Sequence, residues 1–158
     1  MNKSDVLIVG GGLIGLCLSY FLGKIGLSVI VIDKDEITNS KITAHDYRPT
    51  AISEGTKVIL DNFGIWQKIK QNTEPIKSIK VIDRIKENNI SFINPRRNSF
   101  LGYIIKNKLI KKTLINEISL NKKISLFEKT LITDIQIFDN SVLINTNKQI
   151  LSAPLLIA

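Results

Sequence analysis

Three glycines near the amino terminus have the spacing of a phosphate-binding turn. Gly10, Gly12 and Gly15 form the pattern G-x-G-x-x-G between an apolar run and a helical pattern. In such a turn the first glycine permits a tight bend, the second lets the backbone approach a pyrophosphate, and the third lets helix and strand pack closely. The amides of Leu13 and Ile14 would then point free N–H groups at phosphate oxygens, at the positive end of the helix dipole. The turn therefore predicts a dinucleotide site.

An acidic residue follows these glycines at the distance that such a site requires. Asp33 ends the next apolar run, about 20 residues after the turn, where a carboxylate can accept hydrogen bonds from a ribose diol. Its negative charge disfavours an adenosine 2′-phosphate, so NADP is not expected here. Without the acid and the flanking elements, the glycine pattern alone would indicate only a glycine-rich turn of an ordinary α/β protein.

The elements that must position these residues form one βαβ unit, over about residues 5–33. Continuous apolar runs predict buried strands over 6–9 and 29–32, as in a parallel sheet. Between them, apolar residues at i, i+3 and i+4 predict a helix over 13–24, with Gly26 as its C-terminal stop.

The rest of the chain predicts an α/β fold with a β-meander. Residues 36–52 lack periodicity and predict a loop, whereas helices are expected over 53–63 and 107–120. From 124 to the end the pattern predicts short strands. No shift of composition marks a boundary, so we expect a single domain over residues 1–158.

Composition narrows the class of protein. The net charge is +8, but only four of the 22 basic residues are arginine and the lysines are scattered, so solvated surface charge is expected and not a nucleic-acid partner. A single cysteine, Cys17, excludes an internal disulfide and a thiolate metal site, which favours a reducing cytoplasm. No metal site is expected, and no apolar stretch reaches the about 20 residues that span a bilayer.

Further motifs, together with the glycine turn, resemble the FAD-dependent hydroxylases of ubiquinone biosynthesis. Residues 46–53 resemble the pattern D-x-R-x-x-A-I-S, and 60–66 resemble the L-x-x-x-G-x-W helix that follows it. Residues 101–109 resemble L-G-Y-x-x-x-N-x-x-L, and 152–158 are similar to the strand that leads into the family's A-D-G motif. The resemblance covers the whole chain and implies a Rossmann-like FAD-binding domain of the glutathione-reductase type.

The resemblance also implies roles for single residues. The three glycines and Asp33 match the adenosine-diphosphate half of the FAD site. Arg48 matches an arginine at the flavin end, and Asn107 matches a helix-start position whose amide reaches the ribityl or phosphate region. Ile132 would lie beside the adenine by backbone contact. An exposed loop arginine and a simple helix cap are the alternatives for Arg48 and Asn107. No side chain is expected to be catalytic.

The implied activity is hydroxylation of a polyprenylated phenol, with NAD(P)H as a transient reductant and O₂ as co-substrate. The family continues beyond these motifs into further FAD contacts and a substrate domain, so the chain is expected to be a truncated, N-terminal part without a complete substrate domain. A polyprenyl tail would bring the enzyme to the inner face of the membrane, as a peripheral contact of a cytoplasmic protein.

Two other functions stay open. The chain could be a non-catalytic FAD-binding fragment or remnant that needs a separately encoded C-terminal half. It could instead be an NAD-dependent oxidoreductase, since both classes share the first βαβ unit. Against the second alternative, residues 34–52 predict a long loop where a second helix and third parallel strand would be expected.

Overall fold

The structure is a computed structural model, and it describes residues 2–38, 46–82, 89–94 and 99–158. The chain divides into two compact units: residues 1–45 with 111–158 form the first, and residues 46–110 form the second. The single domain expected over the whole chain stays a prediction.

The elements agree with most of the predicted helices and strands. In chain order, the strands are β1 (Asn2–Lys3), β2 (Val6–Val9), β3 (Val29–Ile32), β4 (Pro49–Ser53), β5 (Glu74–Ile76), β6 (Ser78–Ile82), β7 (Asn89–Ile93), β8 (Gly102–Lys106), β9 (Ile124–Phe127), β10 (Ile132–Phe138), β11 (Ser141–Thr146), β12 (Ile150–Ala153) and β13 (Leu155–Ile157). The helices are α1 (Leu13–Lys24), α2 (Glu54–Asn62), α3 (Trp66–Ile69) and α4 (Asn107–Ser119), and a 3₁₀ turn at Lys70–Asn72 follows α3.

A parallel sheet forms the centre of the first unit. Its strand order is β13-β2-β3-β9, and each neighbouring pair is parallel. β3 is buried along its whole length, which confirms the interpretation of its continuous apolar run as a strand covered on both faces. The carboxyl ends of β2 and β3 therefore lie side by side, with Val9 opposite Ile32.

Helix α1 connects β2 to β3 and ends as predicted at Gly26. Gly26 has φ +98°, and its amide donates to the carbonyl of Gly23 at 3.2 Å. The amide of Leu27 donates to the carbonyl of Leu22 at 3.1 Å, which completes a Schellman motif. This motif ends α1 at Lys24, and β3 begins a few residues later at Val29.

A second sheet, of order β1-β12-β11-β10, covers one face of the parallel sheet. The core between the two sheets contains Leu7, Ile30, Ile32, Val142, Ile144, Leu151 and Ala153. The predicted meander is confirmed as antiparallel β10, β11 and β12. By contrast, β9 and β13, which the sequence placed in the same run of short strands, join the parallel sheet, because a short apolar run does not reveal its pairing partner.

The second unit contains a three-stranded antiparallel sheet of order β4-β8-β5 and a hairpin of β6 and β7. The predicted loop over 36–52 was wrong at its end, since Pro49 to Ser53 form β4 and pair with β8. Ser53 then caps α2, because its hydroxyl accepts a hydrogen bond from the Thr56 amide at 3.1 Å. This cap confirms the predicted helix start.

Candidate functional site

The glycine turn joins the parallel sheet to α1. Gly10 follows β2 with φ +109°, a left-handed conformation that a side chain would strain. Its amide donates to the carbonyl of Ile32 at 2.8 Å, which ties the turn to β3. Helix α1 begins at Leu13, and its N-cap residue is Gly12, so no side chain caps the helix. The predicted order of strand, turn and helix is thus confirmed.

Gly12 and Gly15 differ in what a side chain would meet. A Cβ at Gly12 would meet no atom within 4 Å, so the space beside this residue is open. A Cβ at Gly15 would overlap the carbonyl oxygen of Gly10 and would lie 3.5 Å from Cγ2 of Ile8. The fold itself therefore requires Gly15, whereas Gly12 leaves a cradle that a ligand can enter.

The first turn of α1 offers backbone donors beside this cradle. The first amides of an α-helix have no acceptor within the helix, and Leu13 and Ile14 occupy its first two positions. The side chain of Ile14 is 82% exposed, and no acidic residue lies in this first turn. The positive end of the helix dipole therefore faces open space, which favours an anionic group.

Asp33 follows β3 and contacts the glycine turn directly. Its Oδ2 accepts a hydrogen bond from the Gly11 amide at 2.6 Å, and its Oδ1 accepts one from the Asp35 amide at 2.8 Å. The amide of Asp33 donates to the carbonyl of Phe127 at 3.0 Å, and its carbonyl accepts from the Thr130 amide at 2.9 Å. Each carboxylate oxygen has more than one lone pair, so both keep the capacity to accept from ribose hydroxyls.

Gly11 is a sterically constrained position that the glycine pattern left unassigned. A Cβ at Gly11 would lie 2.6 Å from Cγ1 of Ile37 and 3.1 Å from Oδ2 of Asp33. Ile37 is only 1% exposed, so its side chain is packed against the glycine turn. The sequence did contain a signal for this position: of the three consecutive glycines 10–12, the G-x-G-x-x-G pattern explains only the first and the third.

The turn after β9 is a second feature that sequence reasoning missed. Oε1 of Glu128 accepts hydrogen bonds from the amides of Ile37 at 3.1 Å and Thr38 at 2.6 Å. Lys129 has φ +49° and its Nζ forms an ion pair with Oε2 of Glu36 at 3.2 Å. The segment that follows Asp33 is therefore held by residues about ninety positions later in the chain.

Ile132 is the first residue of β10, and it is half-buried. It pairs with Thr146 of β11, and the register shifts between Ile132 and Asp134. Its side chain packs against the core between the two sheets of the first unit. The backbone contact with an adenine stays a prediction.

Arg48 lies in the second unit and is paired with Asp46. Nε of Arg48 donates to Oδ1 of Asp46 at 2.9 Å, and Nη2 donates to Oδ2 at 3.0 Å. These hydrogen bonds lower the pKa of Asp46 to about 2, and the carboxylate in turn raises the pKa of Arg48. Although 81% of the Arg48 side chain is exposed, the two-point pairing fixes the plane of its guanidinium.

Asn107 lies at the start of α4 and holds the backbone around Arg48. Its amide donates to the carbonyl of Arg48 at 3.0 Å, and its Oδ1 accepts a hydrogen bond from the hydroxyl of Thr50. A hydrogen bond from its side chain also helps to lower the pKa of Asp46. The structure thus brings Arg48 and Asn107 together in one network, while their contact with a cofactor stays a prediction.

Two motif residues distant in sequence meet in the second unit. The rings of Trp66 and Tyr103 are 4.8 Å apart between centroids and meet edge to face. Nζ of Lys57 lies 5.6 Å from the Trp66 centroid and 5.1 Å from the Tyr103 centroid, and it donates to Glu54 at 2.6 Å. The tryptophan and tyrosine of the sequence patterns therefore both form cation–π contacts with Lys57.

The remaining chemistry-bearing residues add no second centre in the described part of the chain. Burial raises the pKa of the Cys17 thiol to about 11, which is typical of an unreactive core cysteine. No group of three or more metal-ligating side chains occurs among residues 2–38, 46–82, 89–94 and 99–158. Within those same ranges no helix is long and apolar enough to cross a membrane. His45 lies outside the described residues.

A parallel sheet with a glycine turn, a helix dipole and an acid at adjacent strand ends defines a dinucleotide-binding α/β protein. The model of the FAD binding domain family matches residues 3–128, and the chain belongs to this family. FAD is accordingly the cofactor class of this fold.

Among curated proteins, the chain is similar to two ubiquinone hydroxylases. It is 30% identical over 115 residues to UbiL of Rhodospirillum rubrum, covering 73% of this chain and 27% of that protein. It is 29% identical over 162 aligned positions to UbiM of Neisseria meningitidis, covering 98% of this chain and 35% of that protein. The chain therefore spans about a third of the length of these relatives.

A solved structure shows the same fold. p-Nitrophenol 4-monooxygenase PnpA of Pseudomonas putida superimposes with a TM-score of 0.77 at 17% identity, over 99% of this chain and 40% of that one. At this identity the likeness concerns the fold alone.

The first unit fits the adenosine-diphosphate portion of FAD. A pyrophosphate would enter the open cradle at Gly12, and the amides of Leu13 and Ile14 lie beside this cradle. Asp33 is oriented by two backbone amides at the end of the neighbouring strand, where its carboxylate would accept hydrogen bonds from a ribose diol. These residues, with Gly10 and Gly15 shaping the turn, would hold this part of the cofactor.

Proposed function

We propose that this chain is the FAD-binding portion of a flavin-dependent monooxygenase that hydroxylates a polyprenylated phenol in ubiquinone biosynthesis. The support is the membership of the FAD binding domain family together with the similarity to two ubiquinone hydroxylases. NAD(P)H would serve as the transient reductant. The polyprenyl substrate and the reductant belong to the proposal for the whole enzyme, of which this chain matches about a third.

The observation that carries the FAD-binding part of the proposal is the geometry of the glycine turn. An open cradle at Gly12, two helix-start amides and a braced Asp33 would make one end of a dinucleotide site. When bound, FAD supplies the redox chemistry, and this chain supplies binding and orientation. We assign no catalytic side chain in this chain.

A parallel titration tests the cofactor. The purified chain is titrated with FAD, FMN, ADP and NAD, followed by flavin absorbance and fluorescence, with calorimetry for the ligands that lack a flavin. We expect FAD and ADP to bind, and FMN to bind more weakly because it lacks the adenosine half. Binding of NAD without binding of FAD would overturn the proposal in favour of an NAD-dependent oxidoreductase.

A second candidate function is a non-catalytic FAD-binding module that requires a separately encoded C-terminal half. The match covers 27% of UbiL and 35% of UbiM. NADH-dependent oxygen consumption distinguishes the two: the chain is assayed alone and with the unmatched portion of a UbiM relative supplied as a separate polypeptide. Activity only in the mixture supports the module, and activity of the chain alone contradicts it.

A peripheral membrane contact is part of the same proposal. The net charge of +8 suits an anionic lipid surface, where each basic residue near the surface contributes about 1 kcal/mol. Flotation with vesicles containing anionic lipid, compared with neutral vesicles, tests the contact. Equal recovery with both vesicle types would show that the charge does not act in this way.

A further inference from the structure

Glu128 contacts a segment about ninety positions earlier in the chain. Its Oε1 accepts hydrogen bonds from two consecutive amides, those of Ile37 at 3.1 Å and Thr38 at 2.6 Å. Hydrogen bonds from amides to a carboxylate are stronger than those to a neutral acceptor. The Glu128 side chain, just after β9, therefore holds the backbone of Ile37 and Thr38, a few residues after Asp33.

This attachment reaches the glycine turn through the side chain of Ile37. That side chain is 1% exposed, and its Cγ1 is 2.6 Å from the place where a Cβ of Gly11 would lie. Because interiors are closely packed, a shift of Ile37 would displace the backbone of Gly11 or leave a gap beneath it. The hydrogen bond to the Ile37 amide thus fixes the side chain that packs against Gly11 of the glycine turn.

A second path runs through Asp35 to the carboxylate of Asp33. The amide of Asp35 donates to Oδ1 of Asp33 at 2.8 Å, and its carbonyl accepts from the amide of Lys129 at 3.2 Å. The same turn also binds the carbonyl of Asp33 through the amide of Thr130. The orientation of the acid therefore depends on the turn that carries Glu128.

The backbone of this turn is strained in a way that its neighbours must maintain. Lys129 has φ +49°, a left-handed conformation that non-glycine residues adopt rarely. Such a conformation persists only where the surrounding structure imposes it. The bonds of Glu128 on one side and the buried Thr130 on the other supply that constraint.

We propose that Glu128 is a positioning residue for the adenosine-diphosphate half of the FAD site. Its carboxylate holds the 37–38 peptide and thereby sets the position of Gly11, whose amide in turn donates to the Asp33 carboxylate. The inference rests on the FAD binding proposed above, but it assigns the geometry of the site to a residue outside the glycine motif.

The test compares Glu128→Ala with Glu128→Gln in the full chain. Glutamine keeps a side-chain oxygen that can accept both amides, whereas alanine removes it. By titration calorimetry we expect alanine to weaken ADP and FAD binding about tenfold, the equivalent of one hydrogen bond, and glutamine to retain most of the affinity. Glu74→Ala, which removes an exposed carboxylate in the second unit, is the matched control and should leave both affinities unchanged.

Hydrogen exchange provides a readout that general destabilisation would not reproduce. In Glu128→Ala without ligand, the amides of Ile37 and Thr38 should exchange faster, while the amides within β3 and β9 keep their protection. In Glu128→Gln both loop amides should stay protected. Uniform loss of protection across the first unit would indicate a merely structural role and would overturn the inference.

The outcomes separate this inference from the proposed function. If the unsubstituted chain binds FAD and ADP and Glu128→Ala binds them equally well, the positioning role is overturned while the proposed function stands. If the unsubstituted chain binds neither ligand, both are overturned. Weaker binding in the alanine variant, with rescue by glutamine, supports the inference.

Discussion

The carboxylate of Asp33 lies 2.6 Å from the amide nitrogen of Gly11, so the acid predicted to bind a ribose also braces the glycine turn. The contact joins the ends of two neighbouring parallel strands, which a sequence pattern treats as separate signals. Because the second oxygen of the same carboxylate accepts from Asp35, the orientation of the side chain is set before any ligand binds. Preorganisation of this kind lowers the cost of binding.

Substitutions at Gly12 and Gly15 should change different properties: one should lower the affinity for FAD, the other the free energy of unfolding. Gly15→Ala would force a Cβ into the carbonyl of Gly10, and we expect it to lower the free energy of unfolding by about 1–3 kcal/mol. Gly12→Ala would meet no protein atom, so its stability should be unchanged while FAD affinity falls about tenfold or more. Chemical denaturation and FAD titration of both variants provide the measurements. Equal destabilisation by the two would contradict the division of roles.

Asp33→Asn should damage both the turn and the site. Both carboxylate oxygens accept from amides, so an asparagine must present its NH₂ group to one of those donors. We expect a loss of about 1–3 kcal/mol of stability and weaker ADP binding. Asp139→Asn, at an exposed turn position, is the control, and it should change neither quantity. A stable Asp33→Asn variant with full ADP affinity would show that the brace is dispensable.

Acid should break the Asp46–Arg48 pair only near pH 2. The pKa of Asp46 is lowered from 3.8 to about 2, and the largest cause is the hydrogen bond from the Arg48 side chain. A lowered folded pKa contributes stability that is present above 3.8 and is lost as the pH falls through about 2. The ¹³Cγ chemical shift of Asp46 measures the midpoint, which should rise toward 3.8 in Arg48→Met. An unchanged midpoint in that variant would exclude Arg48 as the main cause.

Replacement of Gly102, in the L-G-Y pattern, should destabilise the second unit. A Cβ there would overlap the carbonyl oxygen of Ile52 across the β4–β8 pair. We expect Gly102→Ala to cost about 1–3 kcal/mol. The control is Gly55→Ala in α2, where the nearest atom to a new Cβ is 3.8 Å away and alanine favours the helix by about 1 kcal/mol. Comparable unfolding curves for the two variants would contradict this role.

Local sequence patterns predicted the first βαβ unit, because its determinants lie within a few residues of one another. The apolar run of β3, the glycine turn and the stop at Gly26 each follow from short-range sterics and hydrogen bonding. The N-cap at Ser53 is of the same kind. Where one short segment fixes an element, its type and its approximate ends can be derived from the sequence.

Features that depend on distant pairing were missed for the opposite reason. β4 begins with Pro49 in a polar segment, and its strand conformation comes from pairing with β8 about fifty residues later. The contact of Glu128 with Ile37 joins residues 91 positions apart. No periodicity in either segment encodes such a partner, so the sequence identified the glycines and Asp33 but not the residues that support them.

The first unit is built from two separate chain segments, residues 1–45 and 111–158, and this affects the order in which the chain folds during synthesis. β2, which carries the glycine turn, is paired on one side by β13, and Val6 lies opposite Leu155. Because β13 follows β2 by well over a hundred residues in the chain, this side of β2 stays unpaired until β13 has emerged. The intervening segment 46–110 is contiguous, so we expect it to acquire structure first, while the nascent nucleotide-binding half waits with an open strand edge, the kind of exposed surface that chaperones protect.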